Sequence, residues 1–251
     1  MNKKTFIKTF EDEDEFLMAR LFEDLMRAKS LPFNKAVENF YTPNIWEVVS
    51  KMKAFQDLSI IGEDYFERKI FSNSKDYNPL GILKIENMDF NKELTHKDYL
   101  GKVMSLGIER DKLGDIFIKE NIAYGIIFKD MYEFFNNNIS YVGKSYVDVS
   151  FIEYEKGVAL IKPNLKNMEM IVSSLRIDSV VSEISRKSRN KAQMDIKSGI
   201  VFINYNEEKN RAKEIEEDDI ITIRGSGKFK IGNMDRKTKK GNYIVNYYKF
   251  D

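Results

Sequence analysis

The chain reads as an α+β protein in three successive regions, and three observations carry that reading. Apolar stripes at helical spacing dominate residues 1–75, short strands alternate with helices between Gly81 and Phe151, and a pair of short helices runs into strands after Val172. The expected regions are an N-terminal helical domain (1–75), a mixed domain (76–163) and a C-terminal module (170–251) with a basic tail.

In the N-terminal region, acids crowd Glu11–Glu15 ahead of Phe16, Leu17, Leu21, Phe22, Leu25 and Met26. Acids in a first turn followed by an i, i+4 apolar stripe describe a helix matched to its own dipole. A second helix is expected from Thr42-Pro43, a cap followed by proline at the first helical position, with Ile45, Trp46, Val49, Met52 and Phe55 on its inner face. The single tryptophan reads as core. The polar, turn-rich stretch Ser72–Pro79 marks the expected boundary.

In the middle region, strands are expected at Ile82–Ile85, Asp115–Ile118, Ala123–Phe128 and Ser145–Phe151, with helices at Thr95–Gly107 and Met131–Asn137. The order β-α-β-β-α-β is that of the split βαβ, or ferredoxin-like, arrangement, which pictures a sheet with helices on one face. RNA-recognition modules share this topology, but their aromatic signature on the inner strands is not present here.

In the C-terminal region, Leu175, Val180, Val181 and Ile184 recur at helical spacing. Ser188 is placed to cap a second helix, Arg189–Lys197, with Ala192 and Ile196 inward and Gly199 as the left-handed residue that ends it. Ile200–Ile203 reads as a strand. Arg186, Lys187, Arg189 and Lys191 crowd the turn between the helices and the first turn of the second, where they repel one another and oppose the helix dipole. A phosphate would relieve both, since helix N–H groups and cationic side chains together make an anion site; a merely solvated basic turn is the other reading. Beyond the acidic loop Glu207–Asp219 come a strand at Ile220–Arg224, a turn at Gly225-Ser226-Gly227 and strands at Lys228–Ile231 and Tyr243–Tyr248. Seven basic residues and one acid lie between Arg224 and Lys240, with Phe229 among them.

Composition sets limits on function. With 42% hydrophobic and 32% charged residues the chain is expected to be globular. The absence of cysteine removes disulfides, thiolate zinc sites and thiol catalysis. No apolar run is long enough to span a membrane and the N-terminus lacks a secretion-signal core, so a cytoplasmic protein is expected. Net charge is only +1, yet Lys162–Asp251 holds 19 Lys and Arg against 13 Asp and Glu, as a surface that meets phosphates requires. His96 is the one histidine; beside Asp98 it suggests acid–base work, but i and i+2 on a helix point apart and no nucleophile accompanies it. Asp111 and Asp115 have Arg110 and Lys112 as local partners, so an ion-pair role outweighs a metal site. The expectation is a protein without an active site, cofactor or metal.

The series Ser173-Ser174-Leu175-Arg176-Ile177-Asp178, then Ser188-Arg189, Ala192, Gly199, Val201 and Asn204, resembles the S-four-type, or alpha-L, RNA-binding module. Departures fall at Asp195, where the pattern has an apolar residue, and at Tyr205 and Asp218, where it has glycine. Leu94–Gly101 and Leu106–Ile116, with Glu67-Arg68-Lys69 and Thr238-Lys239-Lys240, resemble the middle and flanking strings of the YlmH family, also called RqcP, whose members end in that module. The resemblance implies binding to structured ribosomal RNA and transfer RNA on the large ribosomal subunit, in quality control with tail addition to stalled chains, alongside another quality-control factor. The residues expected to contact RNA are Arg176, Arg186, Lys187, Ser188, Arg189, Lys191, Asn204, Arg224, Lys228 and Lys230. An RNA-modifying enzyme of the pseudouridine-synthase type and a protein-interaction adaptor are the alternatives.

Overall fold

A computed structural model describes residues 1–10, 13–163 and 165–250. Contacts divide the chain into two compact units, Met1–Lys162 and Pro163–Asp251. The first unit opens with helices α1 (Lys3–Lys8), α2 (Glu15–Ser30) and α3 (Pro43–Lys51), followed by a hairpin of β1 (Ser59–Ile61) and β2 (Ile70–Ser72) that the sequence pattern does not announce. Asp14 caps α2 by accepting from Leu17 N at 2.7 Å, and Thr42-Pro43 opens α3 as expected. The buried stripe of α2 is Met18, Leu21, Leu25 and Ala28; Phe16 and Met26, expected within it, lie on the outer side of the helix. Of the acidic run, Glu11 and Asp12 lie outside the described residues.

β3 (Leu80–Asn87), α4 (His96–Ser105), β4 (Ile116–Lys119), β5 (Ile122–Phe128), α5 (Tyr132–Asn138), β6 (Tyr141–Val142) and β7 (Ser145–Glu153) follow, and α6 (Tyr154–Ile161) closes the unit. The sheet runs β4-β5-β3-β7-β6 with antiparallel neighbours, the strand order of a split βαβ. One face packs on α4 and α5 through Leu83, Ile85, Ala123 and Ile127 against Tyr99, Val103 and Phe135. The other face is covered as well, which corrects the one-sided sheet expected from the element order. Ile82, Ile126 and Phe128 share a core with Tyr154 and Ile161 of α6 and with Ala36, Phe40, Phe66 and Ile70 of the N-terminal segment. Close approach of α6 depends on Gly157, where a Cβ would sit 2.1 Å from Cγ1 of Ile82. The boundary expected near residue 75 therefore does not separate one core from another.

The second unit begins with a strand where none was expected: β8 (Leu165–Val172) pairs along its whole length with the last strand. Then come α7 (Ile177–Ser185), α8 (Arg189–Lys197), β9 (Val201–Ile203), β10 (Asn206–Glu207), β11 (Ile220–Ile223), β12 (Gly227–Ile231), β13 (Arg236–Lys237) and β14 (Tyr243–Phe250). The antiparallel sheet runs β10-β9-β11-β12-β14-β13, with β8 also on β14. Both helices lie on one face, packing Ile177, Val180, Val181, Ala192 and Ile196 against Val201, Ile221, Ile223, Phe229, Ile231 and Val245. Buried positions alternate along β9, β11 and β12, as in a sheet covered on one side only.

Candidate nucleic-acid interface

The turn from α7 to α8 is built by local signals. Arg186 ends α7 in the left-handed conformation, φ 54°, its N–H bonded to Glu183 O at 3.2 Å. Two residues on, Ser188 caps α8 by accepting from Lys191 N at 3.3 Å, and Gly199, φ +74°, ends it. The first turn of α8 carries no acid, so Arg189 and Lys191 meet the positive end of the helix dipole with no acid of that turn to offset it.

What holds Arg189 in place, and Arg176 with it, is Asp178, a fully buried carboxylate in the first turn of α7. Arg189 donates to it twice, at 2.9 and 3.2 Å, Gln193 once at 2.8 Å, and Arg176 twice at 3.3 Å. Burial pushes the Asp178 carboxyl upward, but the hydrogen bonds from Arg189, Gln193 and Arg176 outweigh it and hold the pKa at about 2. The same contact raises the Arg189 guanidinium above its ordinary value. Both arginines keep water-facing sides, with 45% and 36% of the Arg189 and Arg176 side chains exposed. A guanidinium gripped at one edge is thus presented at the other, with its conformational freedom already lost. Asp178 is absent from the residues expected to form the site; its signal lay in the Arg176-Ile177-Asp178 string, but its partner eleven positions on could not be read from spacing.

Asp195 replaces an apolar residue of the S-four-type pattern, and its burial is compensated by Lys187 at 2.6 Å, with Lys191 at 3.9 Å. Lys187 therefore serves the fold first. Arg186 is exposed and engages no acid among the described residues, so it is the cation of the α7–α8 turn open to a ligand.

The ten residues expected to contact RNA do not make one surface. Arg176, Arg186, Lys187, Ser188, Arg189 and Lys191 gather at the helix pair. Lys228 and Lys230 alternate with the core residues Phe229 and Ile231 on β12, which turns them to the sheet face away from the helices. Arg224 stands over the Phe202 ring at 4.7 Å, on that same far side. Phe229, which the sequence sets among seven basic residues, is core. The polar contact expected of Asn204 is used inside the fold: its side chain donates to Asp219 at 2.7 Å and accepts from Ile220 N at 2.9 Å, closing the loop between β9 and β11. Tyr205 and Asp218, which stand where the pattern has glycine, do adopt glycine-like backbones, φ 68° and 69°. Lys228 donates to the Tyr205 hydroxyl and Lys230 pairs with Asp218 at 2.8 Å, so each replacement acquires a cationic partner.

In the first unit, Asp98 accepts from Thr95 N and Oγ1 at 2.7 Å, which ties it to the start of α4 and leaves His96 without an acid–base partner there. Asp111 accepts from Asn39, and Asp115 accepts from the backbone N–H groups of Glu67 and Arg68. Among the described residues no group of three or more His, Asp or Glu is placed to hold a metal ion, and no helix is long and apolar enough to cross a membrane.

A basic helix edge on a one-sided sheet, joined in sequence to a split βαβ unit, describes an RNA-binding protein of the α+β class. Residues 73–156 match a family model described as "Putative RNA-binding domain in YlmH". The chain is 26% identical over 226 residues to ribosome-associated protein quality control protein P2 of Bacillus subtilis (strain 168), covering 86% of this chain and 87% of that one. A solved structure, cell division protein ylmH from Streptococcus pneumoniae, aligns with a TM-score of 0.45 at 17% identity over 57% of this chain and 93% of that one. The resemblance read from the sequence is matched by the YlmH family model over residues 73–156 and by the Bacillus subtilis quality-control protein over 86% of the chain. The matched segment is the doubly covered sheet, which contributes none of the ten expected contacts.

Proposed function

We propose that the protein binds folded RNA of the large ribosomal subunit, ribosomal RNA together with transfer RNA, through the α7–α8 edge of an S-four-type C-terminal unit. The observation that carries this reading is the buried Asp178 gripping Arg176 and Arg189 beside an acid-free helix start. Fixed guanidiniums, helix N–H groups and the exposed Arg186 form a cradle for phosphates, which position a protein on RNA without reading its sequence. The relative's printed name supports a place in ribosome-associated quality control, where tail elongation on stalled chains is the step the family resemblance implies and the cytoplasm is the compartment this reading requires. In this reading the protein contributes binding and positioning rather than catalysis, and a second quality-control factor is its protein partner.

The test is co-sedimentation with large ribosomal subunits, with and without bound transfer RNA, across a salt series. Log affinity is expected to fall linearly with log salt, and Arg186→Ala with Lys191→Ala to shallow that slope by about one to two charges. Unchanged slope and affinity in that variant would remove the edge from the interface. Arg189 is left intact because its loss would strand a buried carboxylate.

A further inference from the structure

The face of the C-terminal sheet opposite the helices combines aromatic rings and cations in a regular array. Cross-strand partners share a face, so register places them in rows. Phe202, Thr222 and Lys228 form one row across β9, β11 and β12. Ile220, Lys230, Tyr248 and Asn167 form the next, across β11, β12, β14 and β8. The rows lie two residues apart along the strands, roughly 7 Å. Cations sit against the rings: Arg224 over Phe202 at 4.7 Å, and Lys228 over Tyr205 at 4.8 Å and over Phe250 at 4.9 Å. The acids that register places on this face are matched, Asp218 by Lys230, Glu169 by Arg236, and Glu207, opposite Phe202, by Lys209. None of these rings belongs to the helix-facing core.

We infer that this sheet face is a second RNA surface, one that stacks the bases of a single-stranded segment on Phe202 and Tyr248 while Arg224, Lys228 and Lys230 track its phosphates. The inference rests on the reading of the C-terminal unit as RNA-binding, and it adds a class of substrate that the helix edge does not suit. The edge offers charge and hydrogen-bond donors for the backbone of folded RNA. The sheet offers ring faces, which only unpaired bases can reach. Charge complementarity favours RNA over a protein partner, because Arg224, exposed over the Phe202 ring, engages no acid among the described residues.

The experiment uses the full chain and two probes, a fluorescein-labelled twelve-nucleotide oligouridylate and a fully paired RNA hairpin. Phe202→Ala with Tyr248→Ala is expected to weaken oligouridylate binding at least tenfold, since loss of a stacking ring costs on the order of 1 to 3 kcal/mol per base. Hairpin affinity should stay within about twofold, which also reports that the variant is folded. Phe202→Tyr with Tyr248→Phe keeps the rings and should restore oligouridylate binding. Arg186→Ala with Lys191→Ala should show the converse pattern, with the hairpin weakened and the oligouridylate held more nearly. Unaltered oligouridylate affinity in the ring-deleted variant overturns the stacking surface and leaves the helix edge standing. Failure of the parent chain to bind the hairpin overturns the proposed function itself. A ring-dependent rise of mass with concentration in light scattering, with no oligouridylate bound, assigns the face to a second copy of the chain and overturns the inference.

Discussion

The two large sheets of this protein differ in how many faces are covered, and the difference separates scaffold from surface. In the first unit β3 and β5 are buried almost without interruption, because α4 and α5 lie on one face while α6 and the N-terminal segment lie on the other. In the second unit buried and half-buried positions alternate, because α7 and α8 cover a single face. A sheet of split βαβ order could stack bases on its open side, but here that side is filled. The sheet with a free face, not the one with the recognition-module topology, is the one whose strands leave rings uncovered for the base stacking inferred above.

The largest expected effect tests the buried anchor on the covered side of the second sheet. Asp178→Ala should cost about 4 kcal/mol in urea unfolding, since it leaves two guanidiniums without their carboxylate, and should weaken hairpin RNA binding in parallel. If the protein keeps its stability and loses only binding, Asp178 acts on the ligand rather than on the fold. Gly157→Ala should cost about 3 kcal/mol, because the new methyl must displace Ile82 or lift α6 from the second face of the first sheet. A neutral result would mean that this cover is loosely held and that the two sheets differ less than their burial implies.

Acid sharpens the contrast between the units. The folded-state pKa of Asp178, about 2, lies below its ordinary value of 3.8, so its contribution is present above about pH 4 and is lost as pH falls toward 2. The amount at stake is roughly 2 kcal/mol. Amide protection in the second unit, taken relative to the intrinsic exchange rate at each pH, should therefore fall over that range, and Asp178→Asn should remove the dependence. Arg186→Gly is expected to act in opposite directions on stability and binding. It relieves a left-handed backbone by about 1 kcal/mol, visible as a higher thermal midpoint, and deletes an exposed cation, visible as weaker hairpin binding. The smallest effect belongs to the outward face: Thr222→Ala should change stability by no more than about 0.5 kcal/mol.

Much of the local structure was legible. Ser188 as cap, Arg189–Lys197 as helix, Gly199 as its left-handed end and Thr42-Pro43 as a helix start all appear where the residues place them. The six elements expected between Ile82 and Phe151 appear in the expected order, because turn residues and apolar period are properties of adjacent positions. Less was legible where partners are far apart. β8 could not be inferred because Leu165–Val172 becomes a strand only by pairing with Tyr243–Phe250. The continuous run Ile122–Phe128 did carry the sign of two-sided burial, yet nothing in it says which segment supplies the second cover. Asp178 and Arg189 are a pair only because α7 and α8 fold against each other.

By itself the sequence determined the class of elements, their order, the concentration of positive charge in the last third and the chemical pattern of the turn between α7 and α8, since each depends on near neighbours and composition. Tertiary structure alone decided which cations are gripped by buried acids, that nine of the ten expected contacts divide between two opposite sides of one sheet while Asn204 closes a loop, and which of the two sheets keeps a face free. These depend on strand register and on packing between distant segments, where a shift of one residue would turn each side chain to the other face.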